Sequence, residues 1–267
     1  MDFNAIRQMR IVYQVPGMEQ IQAQRDLVYK QVEGQDLRLD VYLPNDERSG
    51  LRPAVLLVHG DLPPELIIGT KDHGPFVSLG QLVAASGLAA VTFDHRSTEQ
   101  FTKMEQVGSD IEDLIAFVRN SGPSLGIDPE RLCVWAFSAG VPYGVQVALR
   151  QADIRCIVAY YGPLDLQILH GHLPPVVTAE ALRVASPLAR IEEMTSIPPL
   201  LVARAGKDQE WINIAIDRFV QQAQERNLPI ELLTHDEGPH AFEIFDDSER
   251  SREIVRQTLD FIKQQLS

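Results

Sequence analysis

The stretch Leu132-Cys133-Val134-Trp135-Ala136-Phe137-Ser138-Ala139-Gly140 constrains this chain more than any other. Six apolar residues with strand character stop at a serine flanked by small residues, and apolar positions resume at Val145, Val147 and Leu149 as a helix would space them. A strand that turns at once into a helix holds the turning residue in strained backbone geometry and pushes its side chain out of the sheet edge. Strand and helix nearly touch at such a turn, so the positions beside it must be small, as Ala136 and Gly140 are. The helix start then aims the Ala139 N–H at any negative charge that develops beside Ser138.

These features resemble the nucleophile elbow of the α/β-hydrolase family, which normally reads Gly-x-Ser-x-Gly. Here it reads Ala136-Phe137-Ser138-Ala139-Gly140, with alanine for the first glycine, and Val141 stands where a further glycine is frequent. The helix, Gly126-Ile127-Asp128-Pro129, strand, serine order is similar to the esterase and dienelactone-hydrolase branches of that family. The resemblance implies an α/β fold with a mostly parallel central sheet, helices on both faces and a small cap excursion.

The rest of the chain agrees with that architecture. Leu37 to Leu43 alternates apolar and polar, which predicts an antiparallel strand near the sheet edge with one wet face. Ala54 to Val58 is apolar throughout, as is a strand covered on both faces, and His59-Gly60-Asp61 follows at its carboxyl end, where open α/β sheets keep their ligand sites. Further strands are expected at 88–93, 154–161, 200–206 and 230–234, with a helix over 75–86 and another presenting Ile111, Leu114, Ile115 and Val118 on one face. Residues 36–267 are read as one hydrolase domain, residues 1–35 as an N-terminal arm, and the proline-rich 164–198 as the cap segment.

Lys207-Asp208 lies just past the strand at 200–206, where the family places the acid of a hydrolytic triad. Gly238-Pro239-His240-Ala241-Phe242 is similar to the family's Gly-x-His-x-Phe signature, which makes His240 the general base and leaves His235 as the alternative. Ser138, Asp208 and His240 thus stand in the chain order of α/β-hydrolases. In the family the loop after the first central strand supplies the second oxyanion-hole N–H, here from Asp61 or Leu62. The Asp61 carboxylate either disfavours anionic substrates or caps its own loop, and the capping role is the ordinary one. Phe137 and Tyr143 are expected to shape the substrate pocket, and Asp94-His95-Arg96 to brace the active-site loops.

Composition narrows the partners. A formal charge of −13 without a basic cluster argues against nucleic acid or an anionic membrane, and no apolar run approaches spanning length. Met1 to Val12 lacks the apolar core of a secretory leader, so a cytoplasmic protein is expected. Cys133 and Cys156 read as small buried hydrophobes, and His170-Gly171-His172, with no acidic or thiol ligand beside it, as surface rather than metal site. No cofactor or metal is called for. The expected function is cleavage of a small-molecule ester or lactone through an acyl-enzyme, in a chain that can homodimerise by its sheet edge. The alternatives are a peptidase similar to the catalytic domain of prolyl oligopeptidases, and a non-catalytic hydrolase-fold binding protein.

Overall fold

A computed structural model describes residues 3–46 and 49–267. Eight strands form one sheet: β1 (Ala23–Val32), β2 (Gln35–Tyr42), β3 (Arg52–Val58), β4 (Ala89–Phe93), β5 (Ile127–Phe137), β6 (Ile154–Tyr160), β7 (Leu200–Ala205) and β8 (Ile230–His235). Their spatial order is β1-β2-β4-β3-β5-β6-β7-β8; β2 pairs antiparallel with both its neighbours, and β3 to β8 are parallel.

Along β5, Leu132, Val134 and Ala136 enter one hydrophobic core while Cys133, Trp135 and Phe137 enter the other. That two-sided burial is why the run is apolar throughout: alternation would leave one face polar against helices. In chain order the helices are α1 (Phe3–Gln8), α2 (Pro64–Ile67), α3 (Gly74–Ala85), α4 (Met104–Ser121), α5 (Val141–Ala148), α6 (Ala179–Ala185), α7 (Pro187–Glu192), α8 (Glu210–Glu225), α9 (Phe242–Phe245) and α10 (Glu249–Leu266). Helices α4, α5 and α8 pack their apolar residues into the first core, and α3 and α10 into the second. The Ser248 hydroxyl accepts from the Ser251 N–H and so starts α10, whose buried stripe is Ile254, Val255, Leu259, Ile262 and Leu266.

The chain leaves β3 to make β4 on one side and returns to make β5 on the other. This reversal puts the loops after β3 and β5 side by side, opening a crevice at the carboxyl edge of the sheet.

Two expectations change in three dimensions. The polar side of β2 is wet at Arg38, whose side chain is 41% exposed, but not at Asp40, which is fully buried because Lys71, itself buried, reaches it at 3.0 Å. The N-terminal segment read as an arm, with a possible short strand near Leu27 to Val32, is packed into the domain: Ala23–Val32 is the first strand of the sheet, and Ile11, Met18 and Ile21 lie in the second core. Met1 and Asp2 of that segment lie outside the described residues. The 164–198 excursion holds α6, whose Thr178 cap accepts from Ala181 N, and α7; Leu164, Leu166, Leu182 and Ile191 anchor it to the first core. His170 and His172 are exposed in its turn.

Candidate active site

Ser138 ends β5 with φ +52°, a left-handed conformation that a non-glycine residue holds only when its surroundings enforce it. The enforcement is visible in neighbouring glycines. A Cβ on Gly140 would lie 2.1 Å from the His59 carbonyl oxygen, and one on Gly162 would lie 2.1 Å from that of Ser138. The alanine at 136 has its compensation on α5: a Cβ on Gly144 would stand 2.9 Å from Ala136 Cβ and 3.3 Å from Val58 Cγ2. The glycine missing from the strand side of the elbow is thus supplied from the helix side. Gly144→Ala is expected to destabilise the fold by about 1–3 kcal/mol through overpacking, outweighing a gain in helix propensity of about 1 kcal/mol. Adding Ala136→Gly should recover most of that loss in a denaturant-unfolding cycle, and a single mutant as stable as the parent would refute the compensation.

The Ser138 Oγ lies 2.8 Å from His240 Nε2, and His240 Nδ1 lies 2.6 Å from Asp208 Oδ2. Three residues far apart in the chain therefore form one hydrogen-bonded line at the carboxyl ends of β5, β7 and β8. The Asp208 side chain is 1% exposed and that of His240 37%. Asp208 Oδ1 accepts from the Gln209 N–H at 2.7 Å, so both carboxylate oxygens are engaged and the group is held at the correct angle to the imidazole. Asp208 does not cap α8; Gln209 occupies that position. Ala241, at φ +56°, turns the chain directly after His240.

His235 makes a different alliance. Its Nε2 lies 2.7 Å from Asp246 Oδ2 and within 3.2 Å of the Ser248 and Ser251 hydroxyls, so it ties the end of β8 to the start of α10. A Cβ on Gly238 would sit 2.5 Å from the His235 ring, which shows how closely the His240 loop folds over this anchor.

On the other side of Ser138, Gly60 approaches so closely that an added Cβ would meet Ser138 Cβ at 3.3 Å. The Asp61 carboxylate accepts from Leu62 N at 3.0 Å, from Thr98 N at 3.1 Å and from the Thr98 hydroxyl, so it closes its own loop. That carboxylate occupies the Leu62 N–H, one of the two donors expected from this loop, and does not engage the other, the Asp61 N–H. His95 braces this loop from below: its ring stacks on His59 at 3.8 Å and its Nε2 lies 3.1 Å from the His59 carbonyl oxygen. Asp94 accepts from the Gly69 N–H, and Arg96 pairs with buried Asp110, so all three residues after β4 hold loops in place.

Ser138 and His240 open onto a cavity of about 120 Å³ walled by Ile11, Phe76, Leu79, Phe137, Tyr161 and Glu243, among others. Phe137 is where it was expected. Tyr143 is not: it lines a separate cavity of about 550 Å³ beside α4, α5 and α6, because α5 carries it away to the other face of the sheet. The larger space is the less relevant one, since neither Ser138 nor His240 borders it.

Two residues of the cavity wall, Glu243 and Tyr161, are not apparent from the sequence. The Tyr161 ring meets His240 edge-on at 4.8 Å, and its hydroxyl donates to Glu243 Oε1. Burial pushes the Glu243 carboxyl up to about 7, against the lowering effect of the Tyr161 hydrogen bond. The one available signal is a single charge inside the apolar Ala241-Phe242-Glu243-Ile244-Phe245.

The folded state holds the Glu243 proton where the unfolded chain has lost it, so this group's contribution to stability is present below about pH 4.5 and fades as pH rises to about 7. Glu243→Gln cannot titrate. Its unfolding free energy relative to the parent should therefore grow by up to about 3 kcal/mol between pH 5 and 8. Parallel pH profiles in urea titrations would contradict the assignment.

The family model named BD-FAE matches residues 39–215, two thirds of the chain, including the loop after β3 and the Ser138 elbow. The chain belongs to the BD-FAE family of α/β-hydrolases. Among relatives of this BD-FAE protein, the probable isoprenylcysteine alpha-carbonyl methylesterase ICMEL1 of Oryza sativa is 37% identical over 239 residues, covering 76% of this chain and 54% of that one. The isoprenylcysteine alpha-carbonyl methylesterase ICME of Arabidopsis thaliana is 35% identical over 115 residues, 43% of this chain and 25% of its own. The chain thus spans about half the length of the first of these relatives and a quarter of the second. In fold, esterase 2 of Thermogutta terrifontis superposes with a TM-score of 0.72 over 94% of both chains at 20% identity.

Proposed function

We propose that this BD-FAE protein is a carboxylic ester hydrolase acting through an acyl-enzyme, with Ser138, His240 and Asp208 as its triad. The observation that carries the reading is the continuous hydrogen-bonded line from Ser138 Oγ through His240 to Asp208. His240 Nε2 takes the Ser138 proton as Oγ attacks the carbonyl carbon, and the Asp208 carboxylate holds Nδ1–H and steadies the imidazolium. The N–H groups of Ala139 and Asp61 stabilise the tetrahedral oxyanion. His240 then gives its proton to the departing alkoxide and, after the alcohol leaves, activates the water that releases the acid. A lactone would follow the same steps, its alcohol staying attached to the acid.

Three further observations bear on the substrate: the first supports ester cleavage, and the other two a short acyl group. The relatives in rice and Arabidopsis carry the name methylesterase. The Thermogutta esterase was solved with propionate and with butyrate bound, and phosphorylated by paraoxon. The Ser138 cavity, of about 120 Å³, is apolar on most of its wall. It has the volume of about four waters, which accommodates a chain of about three to five heavy atoms. Among the described residues no helix is long and apolar enough to cross a membrane. We assign a small-molecule ester in the cytoplasm as the substrate, no cofactor, and the sheet edges at β1 and β8 as the place where a homodimer would pair. The test is turnover of short-chain nitrophenyl esters by the parent protein and its loss in Ser138→Ala; a folded parent inert towards all of them would overturn the reading.

A further inference from the structure

The wall of the Ser138 cavity is apolar apart from the reacting groups, Tyr161 and Glu243. Tyr161 spends its hydroxyl proton on Glu243 Oε1. Glu243 is 3% exposed, and its second oxygen, Oε2, is buried with no hydrogen-bond partner from another of the described residues. A buried carboxyl oxygen without a partner is destabilising, because it has given up water and gained nothing in return. A cavity meant only for a hydrocarbon chain is better served by a wholly apolar wall, because a well-packed apolar side chain would avoid that cost.

The position of the group argues against a purely structural role. Glu243 follows His240 closely, on the first turn of α9, and its backbone carbonyl holds the N-terminal segment by accepting from Val12 N at 2.8 Å. That backbone bond would survive any side chain at 243. The carboxyl is therefore not needed to dock the segment that closes the cavity with Ile11. Besides accepting from Tyr161, the carboxyl places a polar group in the wall of the space that the acyl group of the proposed reaction would fill.

We propose that Glu243 is a specificity-determining residue that selects short acyl groups bearing a hydroxyl. The inference rests on the esterase reading and concerns the acyl side of the same site. A hydroxyl is the matching group because it both donates and accepts, so it pairs with Oε2 whether the carboxyl carries its proton or not. Burial holds that proton on up to about pH 7, where an ammonium group would require it to be absent. Discrimination of this kind is strong in one direction: a site built to bond a substrate hydroxyl leaves a polar group unpaired when the analogue lacks it.

The experiment compares kcat/KM for 4-nitrophenyl butyrate and 4-nitrophenyl 3-hydroxybutyrate, with the propionate and lactate esters as a second pair, in the parent, Glu243→Gln and Glu243→Leu. Using one leaving group throughout confines the comparison to the acyl side. The expected result is a preference of about tenfold or more for the hydroxyacyl ester in at least one pair. That preference should be reduced but present in Glu243→Gln, whose amide can still bond a hydroxyl, and abolished or reversed in Glu243→Leu. A parent that turns over plain acyl esters as fast as or faster than hydroxyacyl esters overturns the inference while leaving the esterase reading intact. So does a preference that Glu243→Leu leaves unchanged. Failure to hydrolyse either series overturns both. Because the parent is itself compared on paired substrates, the inference can fail even if no variant folds.

Discussion

Ser138→Ala is expected to lower kcat by about 10⁴–10⁶-fold against every ester the parent hydrolyses, with KM changed little. The size follows from what is lost: the residue forms the covalent bond of the acyl-enzyme, and among the described residues no other hydroxyl borders both His240 and the cavity except the buried phenol of Tyr161. The residual rate over water would come from the N–H groups of Ala139 and Asp61 and from binding, neither of which the substitution removes. The fold should be unaffected or slightly stabilised, because Ala at 138 keeps the same backbone and loses no buried hydrogen bond other than that to His240. Circular dichroism and unfolding midpoints run beside the kinetics separate loss of chemistry from loss of structure. A variant retaining a tenth of parental activity would place the nucleophile elsewhere.

Asp208→Asn should cost about 10⁴ in kcat, the magnitude found when the same change is made in the worked serine-protease triad. The physical reason is the tautomer. The Asp208 carboxylate is an acceptor only, so it fixes the proton of neutral His240 on Nδ1 at 2.6 Å and leaves Nε2 bare to receive the proton of Ser138. An asparagine that turns its amide N–H towards Nδ1 imposes the opposite tautomer and puts a proton on Nε2. The local geometry should persist, since Oδ1 of asparagine still accepts from Gln209 N while Nδ2 faces His240 Nδ1 in the place of the carboxylate's Oδ2. Activity of the variant should recover partly at high pH, where hydroxide replaces the missing base, whereas the parent should not. A variant within tenfold of the parent at neutral pH would remove Asp208 from the chemistry and leave it as a loop residue.

The residues of this line were legible in the chain because each announces itself locally. Ser138, Asp208 and His240 follow apolar strand runs, with Gly140, Gly206 and Gly238 beside them, and parallel sheets keep reacting groups at that end of their strands. The two-sided core was readable for the same reason, since β3 and β5 have no polar alternation to give them a wet face. What escaped depends on residues far apart in sequence. Asp40 looks like a solvent-facing strand residue until Lys71, 31 positions later, is placed against it. Ala136 looks like a weakened elbow until Gly144 is seen to make room for its methyl. Residues 1–35 have no strong periodicity, yet Ile11 closes the cavity beside Ser138 because Ser78 holds its backbone N–H and Glu243 that of Val12. Tyr143 escaped for a geometric reason: an aromatic residue shortly after the serine faces wherever α5 points it, and that is into the first core.

Central to this mechanism is that Ser138 is a nucleophile activated by His240. The most direct measurement is intact-mass and peptide-level mass spectrometry of the folded protein after treatment with a fluorophosphonate. The expected result is a single adduct per chain, on the peptide carrying Ser138, absent in Ser138→Ala and strongly slowed in Asp208→Asn. Folded protein that takes up no phosphonate, or takes it up equally in Ser138→Ala, would contradict it.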